Sequence, residues 1–219
     1  MLGFKQLKEL SFIGSADIIG TSAGAIFWFI LASQIPPEEY GELFYFIGIA
    51  AIAASFVLVG AQNTITVYSS KNLKIESTLY FISLILGIIA SFVIIIIFYK
   101  IDIVFLLFGY IINTLAIGQL LGRKLFSQYS KYTLVQKFLT LGLGLLAFLF
   151  FGIDGVIPAL SISYVFFIII IFKQFKKSKI DFSLLKNRTK FILNNYIIDV
   201  LTKSNVHLNK FFILPLLGF

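Results

Sequence analysis

Six near-continuous apolar runs divide this chain, and nearly all of its cations fall in alternate gaps between them. No Asp, Glu, Lys or Arg interrupts 18–37, 43–70, 77–99, 103–122, 138–153 or 155–172. A helix rises 1.5 Å per residue, so about 20 such residues cross the hydrocarbon of a bilayer. Inside lipid every backbone amide must be satisfied, and runs this long without alternation do so as helices, not as barrel strands. The chain is therefore expected to be all-α, a polytopic transmembrane helix bundle. Its composition leaves no soluble alternative. Only 13% of residues are charged, against 59% apolar, whereas a soluble domain has roughly 25% charged.

Charge placement gives the expected orientation. Lys5 and Lys8, Lys71 and Lys74, Arg123, Lys124 and Lys131, and the block from Lys173 to Lys190 occupy one set of gaps. Glu38, Glu39, Glu42, Lys100, Asp102 and Asp154 occupy the other. Lys and Arg accumulate on cytoplasmic loops, which predicts a multi-pass protein of the cell membrane with a cytoplasmic N-terminus. A net charge of +8 would otherwise suggest nucleic acid as a partner. Here topology accounts for the excess, so membrane lipid is the expected partner and nucleic acid is not. With no cysteine, disulfides and thiolate metal sites are excluded.

Met1–Leu10, with Phe4, Leu7 and Leu10 against Lys5, Lys8 and Glu9, is expected as a short helix on the inner surface. A retained first spanning helix follows over Ser11–Ser33, its run too long for a signal peptide, and Pro36-Pro37 ends it. Helix 2 is expected from Tyr40 or Gly41 to Tyr68. Helices 3 and 4 form a hairpin over Lys100–Asp102, and helices 5 and 6 another over Gly152–Gly155. This makes a six-helix N-terminal lobe (1–172), a basic cytoplasmic linker (173–190) and a seventh helix beginning a truncated second lobe (191–219). Gly20 and Gly24, Gly118 and Gly122, and Ala50 with Ala54 mark expected packing faces.

No catalytic signature is present: no HExxH, GxSxG, Walker loop or dinucleotide fingerprint. One histidine builds no metal cluster. Neither enzyme activity nor a cofactor is expected. The sharpest positive feature is a stripe on helix 7. Asn195, Asp199, Lys203, His207 and Lys210 recur at steps of three or four, which keeps them on one helical face. A charge at the middle of a spanning helix is costly and usually faces protein or a hydrated cavity. Asp199 and Lys203 are spaced to pair, leaving a cationic ladder suited to a diphosphate. The alternative places part of this helix at the interface or in the cytoplasmic loop. Asp17, Gln62 and Asn63, with Asn113 and Gln119, are the other intramembrane polar positions. Each either lines a cavity or makes an interhelical hydrogen bond. The Lys173–Lys190 block either attracts anionic headgroups or serves topology alone.

Leu31-Ala32-Ser33-Gln34-Ile35-Pro36-Pro37-Glu38-Glu39-Tyr40-Gly41 resembles the end of helix 1 in polysaccharide-export flippases. Val59-Gly60-Ala61-Gln62-Asn63, followed by Val67-Tyr68, resembles the end of their helix 2. Asn209-Lys210-Phe211-Phe212-Ile213-Leu214-Pro215 resembles the end of helix 7, with Asn209 where the family commonly has an acid. The resemblance implies the N-terminal half of a multidrug/oligosaccharidyl-lipid/polysaccharide transporter, built from two pseudo-symmetric six-helix lobes around a central cavity. It implies translocation of a lipid-linked oligosaccharide, a polyprenyl-phosphate glycan, for polysaccharide biosynthesis. The expected cavity residues are Asp17, Gln62, Asn63, Asn195, Asp199, Lys203, His207 and Lys210. Carriers act through differential contacts in two states, so this chain is not expected to transport by itself: it is either a truncated gene product or must pair with a second chain that supplies the missing lobe. The alternatives are a cation-coupled multidrug antiporter of the same superfamily and a non-transporting scaffold of cell-envelope synthesis.

Overall fold

The computed structural model describes the backbone of residues 4–216 and the side chains of 11–202. Helix α1 covers Phe4–Gln34. The expected surface helix is not separate: residues 4–10 continue into α1 without a break, because no proline interrupts a run of good helix formers. Helix α2 covers Pro37–Leu58 and begins earlier than expected, since a proline at the first helical position loses no intrahelical hydrogen bond.

Helix 2 was also expected to run unbroken to Tyr68, and it does not. Val59 and Gly60 both take left-handed backbone angles, φ 49° and 65°, and the chain restarts as α3, Ala61–Ser70. A Cβ on Gly60 would lie 2.6 Å from the backbone nitrogen of Tyr196. The break therefore lets a distant part of the chain touch this backbone.

Helices α4 (Glu76–Phe98) and α5 (Ile101–Gly122) form the hairpin foreseen at Lys100. Helix α6 (Phe126–Phe151) begins well ahead of its charge-free run and carries Lys131 and Lys137. The chain reverses in a 3₁₀ turn, Gly152–Gly155, where Gly152 has φ +63° and a Cβ on Gly155 would sit 2.6 Å from the Ala147 carbonyl. Helix α7 (Val156–Tyr164), a second 3₁₀ turn at Val165–Phe167 and helix α8 (Ile168–Lys177) complete the return. Helix α9 (Ser183–Lys186) lies in the basic connector, and α10 covers Thr189–Leu216.

Helix α5 is the axis of the bundle, packed on α2, α3, α4, α7 and α8. Its Ile103, Leu106, Leu107, Ile111 and Leu115 are wholly buried. The Gly118 and Gly122 pair works as the spacing predicts: a Cβ on either would meet α3 backbone at 2.9 Å, the carbonyls of Gln62 and Thr66 respectively. The α1 pair works only by half. Gly20 accommodates the Lys137 stem, whereas a Cβ on Gly24 would meet nothing within 4 Å. Helix α1 packs chiefly on α6, and α10 packs on α2 and α3.

Outside the core, Phe29, Phe150 and Leu149 are 82%, 78% and 76% exposed, an arrangement that water would penalise and lipid does not. Among the described residues five helical stretches are long and apolar enough to cross a membrane. The fifth, Phe126–Lys177, is 52 residues long and folds back at Gly152–Gly155, so it contains both the fifth and the sixth expected spans. The chain is a multi-pass membrane protein.

Candidate functional site

Polar side chains that bond between helices gather in three places, of which only the third is largely buried. The first lies between α1 and α6. Tyr129 Oη donates to Asp17 Oδ1 at 3.0 Å, and Lys137 interacts electrostatically with the same carboxylate. The Lys137 stem passes over Gly20, a residue without a side chain to obstruct it. The acid of α1 thus has a hydrogen-bond donor and a nearby base on α6.

The second lies where α3 meets α10. Asn63 Nδ2 donates to Asp199 Oδ1 at 3.4 Å, and Asn195 Nδ2 donates to Thr64 Oγ1 at 3.5 Å. The left-handed break at Val59-Gly60 positions these groups, because it swings the first turn of α3 against the backbone of Asn195 and Tyr196. Gln62 sits in the same turn with its carbonyl toward α5, accepting from Thr66 Oγ1 at 2.9 Å and lying close to Gly118.

The third joins α4, α5 and α8 at one end of the bundle, and it is the most completely bonded. Arg123 donates from Nε and Nη2 to Glu76 Oε1 at 3.0 and 2.8 Å. The same Nη2 donates to Gln174 Oε1 at 2.8 Å, and Gln119 Nε2 reaches that oxygen at 3.0 Å. Tyr80 Oη donates to Gln119 Oε1 at 2.5 Å. Gln174 Nε2 continues to Ser178 Oγ at 2.8 Å, which pairs with Ser77 Oγ at 2.6 Å. Glu76, Tyr80 and Gln174 are at most 1% exposed.

The eight expected cavity residues are therefore divided. Asn63, Asn195 and Asp199 come together, with Gln62 beside them. Asp17 belongs to a different helix pair. The side chains of Lys203, His207 and Lys210 lie outside the described residues, as does the expected Asp199–Lys203 pairing.

Sequence reasoning missed Lys137 and Tyr129 as partners of Asp17, and missed Glu76, Arg123 and Gln174 altogether. Glu76 did offer a signal. It is the lone acid of a gap whose other charges are Lys71 and Lys74, and an acid beside topogenic cations needs a partner.

No protein-family model and no curated protein matches the chain. In fold it is similar to the crystal structure of a proline-to-alanine mutant of a MATE transporter, with a TM-score of 0.64 at 21% identity. The match covers 94% of this chain and 55% of that one. The bundle thus has the fold of about half a MATE transporter.

Proposed function

We propose that this chain is the N-terminal lobe, with the first helix of a second lobe, of a transporter that moves a lipid-linked oligosaccharide between membrane leaflets. The domain division at 173–190 belongs to the same reading: six helices, a basic connector, then α10. Because the chain spans about half of the transporter it resembles in fold, a complete carrier needs a second lobe, from further sequence or a second chain. Repeated lobes around a midplane site are the usual construction of secondary transporters.

One observation favours a phosphate-linked glycan over a cationic drug. Asp17, the intramembrane acid of the lobe, is matched by Lys137. A cation-coupled antiporter wants an acid left open for its cargo or coupling ion. Here Lys137 lies near enough to offset that acid, and Lys203 and Lys210 add positive charge to the sequence of α10 against Asp199, the sign that attracts a diphosphate. The proline and Pro-Glu-Glu-Tyr-Gly stretch at 36–41 supports the flippase branch on sequence grounds.

Deleting the gene in its native cell tests the reading. Lipid-linked glycan should accumulate on the cytoplasmic leaflet, measured by its inaccessibility to an impermeant lectin added outside. An unchanged leaflet distribution together with new sensitivity to cationic dyes would replace this proposal with the antiporter. A third result, neither phenotype, would favour a scaffold.

A further inference from the structure

The basic end of the bundle contains a cavity of about 510 Å³ that the α4–α5–α8 network closes from within. Its walls come from the end of α3, the α3–α4 loop, the first turn of α4 and the α5–α6 loop, so four parts of the chain converge on it. Lys74, Arg123 and Lys124 line it, as do Ser69, Asn72 and Glu76. Asn72 and Lys124 both hold left-handed backbone angles, φ 61° and 56°, which fold the two loops tightly around the opening.

Two polar atoms on these walls have no hydrogen-bond partner although both are buried: Ser69 Oγ and Glu76 Oε2. Glu76 spends Oε1 on Arg123 and leaves Oε2 unbonded. A buried carboxylate oxygen without a donor is uncommon in a folded protein and calls for an explanation. Lys74 and Lys124, by contrast, are exposed and form no salt bridge among the described residues.

The site therefore asks for two chemistries at once. Three cations against one carboxylate leave an excess of positive charge, which suits a phosphate; Arg and Lys are the residues that bind it. Glu76 Oε2 and Ser69 Oγ ask for a hydrogen-bond donor next to that phosphate. We infer that this cavity binds the phosphate of a hydroxyl-bearing headgroup, of the glycerol-phosphate or sugar-phosphate kind. Lys74 and Lys124 hold the phosphate, Arg123 bridges it to Glu76, and Glu76 with Ser69 reads the hydroxyl. The same chemistry is offered by an anionic lipid and by a free phosphorylated polyol. The site lies between the end of α3 and the α5–α6 loop and not at the α3–α10 seam, so it stands whether or not the chain carries lipid-linked glycans.

The test uses the full chain in nanodiscs of phosphatidylglycerol and phosphatidylcholine, with retained lipid counted by native mass spectrometry. Phosphatidylglycerol should be retained preferentially. Lys74→Gln with Lys124→Gln should weaken retention about thirtyfold, since each cation near a membrane surface contributes a factor of about five. Lys176→Gln with Lys177→Gln removes the same charge outside the cavity and should change retention little. Glu76→Gln should erase the preference for phosphatidylglycerol over phosphatidic acid, which lacks the headgroup hydroxyls. Should Glu76→Gln fail to fold, Ser69→Ala reads the same preference. Adding soluble glycerol phosphate separates the two sources. Displacement of the lipid assigns the cavity to free phosphates, and persistence assigns it to lipid. Equal losses from the two lysine pairs, or no preference in the parent protein, would overturn the inference.

Discussion

The α4–α5–α8 network and the α3–α10 seam are both polar contacts between helices, yet they are built to different standards. In the network a charged pair is bonded twice, at 2.8 and 3.0 Å, and its glutamine and tyrosine neighbours are buried and mutually satisfied. At the seam two amide side chains reach across at 3.4 and 3.5 Å. Beyond it Leu193, Ile197 and Leu201 of α10 stay 55%, 47% and 60% exposed. Charge-assisted bonds are short and about twice as strong as neutral ones, whereas neutral interhelical bonds in membranes average about 0.6 kcal/mol. Among the described residues, the polar bonds inside the lobe are shorter and charge-assisted, while those joining α3 to α10 are long and neutral. In the proposed transporter, alternating access would move one packed body against another around a fixed site, and the weaker seam is where that movement is expected.

The comparison breaks most visibly at Arg123. Arg123→Ala leaves the Glu76 carboxylate buried with no counter-charge, so thermal unfolding in detergent should show a loss of about 3 kcal/mol. The double variant Arg123→Gln with Glu76→Gln should recover much of it, because the uncompensated charge is gone. Next comes Gly60→Ala. The left-handed angle costs a residue with a Cβ about 1–2 kcal/mol, and the new atom meets Tyr196. Helix α10 should come away while the lobe stays folded, read as faster thiol labelling at Tyr196→Cys. Asn63→Ala should be smaller still, about 0.6 kcal/mol, with a modest gain in the same labelling and no change in α4–α5 stability.

The connector sharpens the scale at its low end. Ser183 donates to Asp181 Oδ1 from its backbone nitrogen and its hydroxyl, and these bonds hold the Asp181 carboxyl below the usual carboxylate range. A depressed folded value means the contribution is present above the unfolded value of about 3.9 and is lost as pH falls through the folded one. In an NMR titration the Ser183 amide should shift only in that acid range, and Asp181→Asn should abolish the shift.

Much of this architecture could be read before any coordinates. Charge-free length announced the spans, Lys100 and Gly152 marked the reversals, and the Gly118–Gly122 spacing marked a close helix contact. What escaped shares one cause. The Val59-Gly60 break answers to Tyr196, far away in sequence, and local pattern carries no trace of it. Glu76, Arg123 and Gln174 sit on three separate elements, so no periodicity links them. Helix α6 starts at Phe126, well before the charge-free run at 138–153, because a lysine stem can lie along an apolar helix while its charge reaches a partner. Among the polar positions of the α10 stripe, Asn195 and Asp199 both bond to α3. The stripe did not reveal that Asp17 would be matched on α6.

Because the chain lacks cysteine, spin labels can be placed without background, and one pair of distances tests whether the lobe and α10 move as separate bodies. Labels at Ile89→Cys and Phe105→Cys, both exposed on α4 and α5, should give a single narrow distance. Labels at Phe105→Cys and Leu193→Cys should give a broad or divided one in the same nanodiscs. Two equally narrow distributions would mean that α10 is a fixed part of the lobe, and the case for a moving second body would fail.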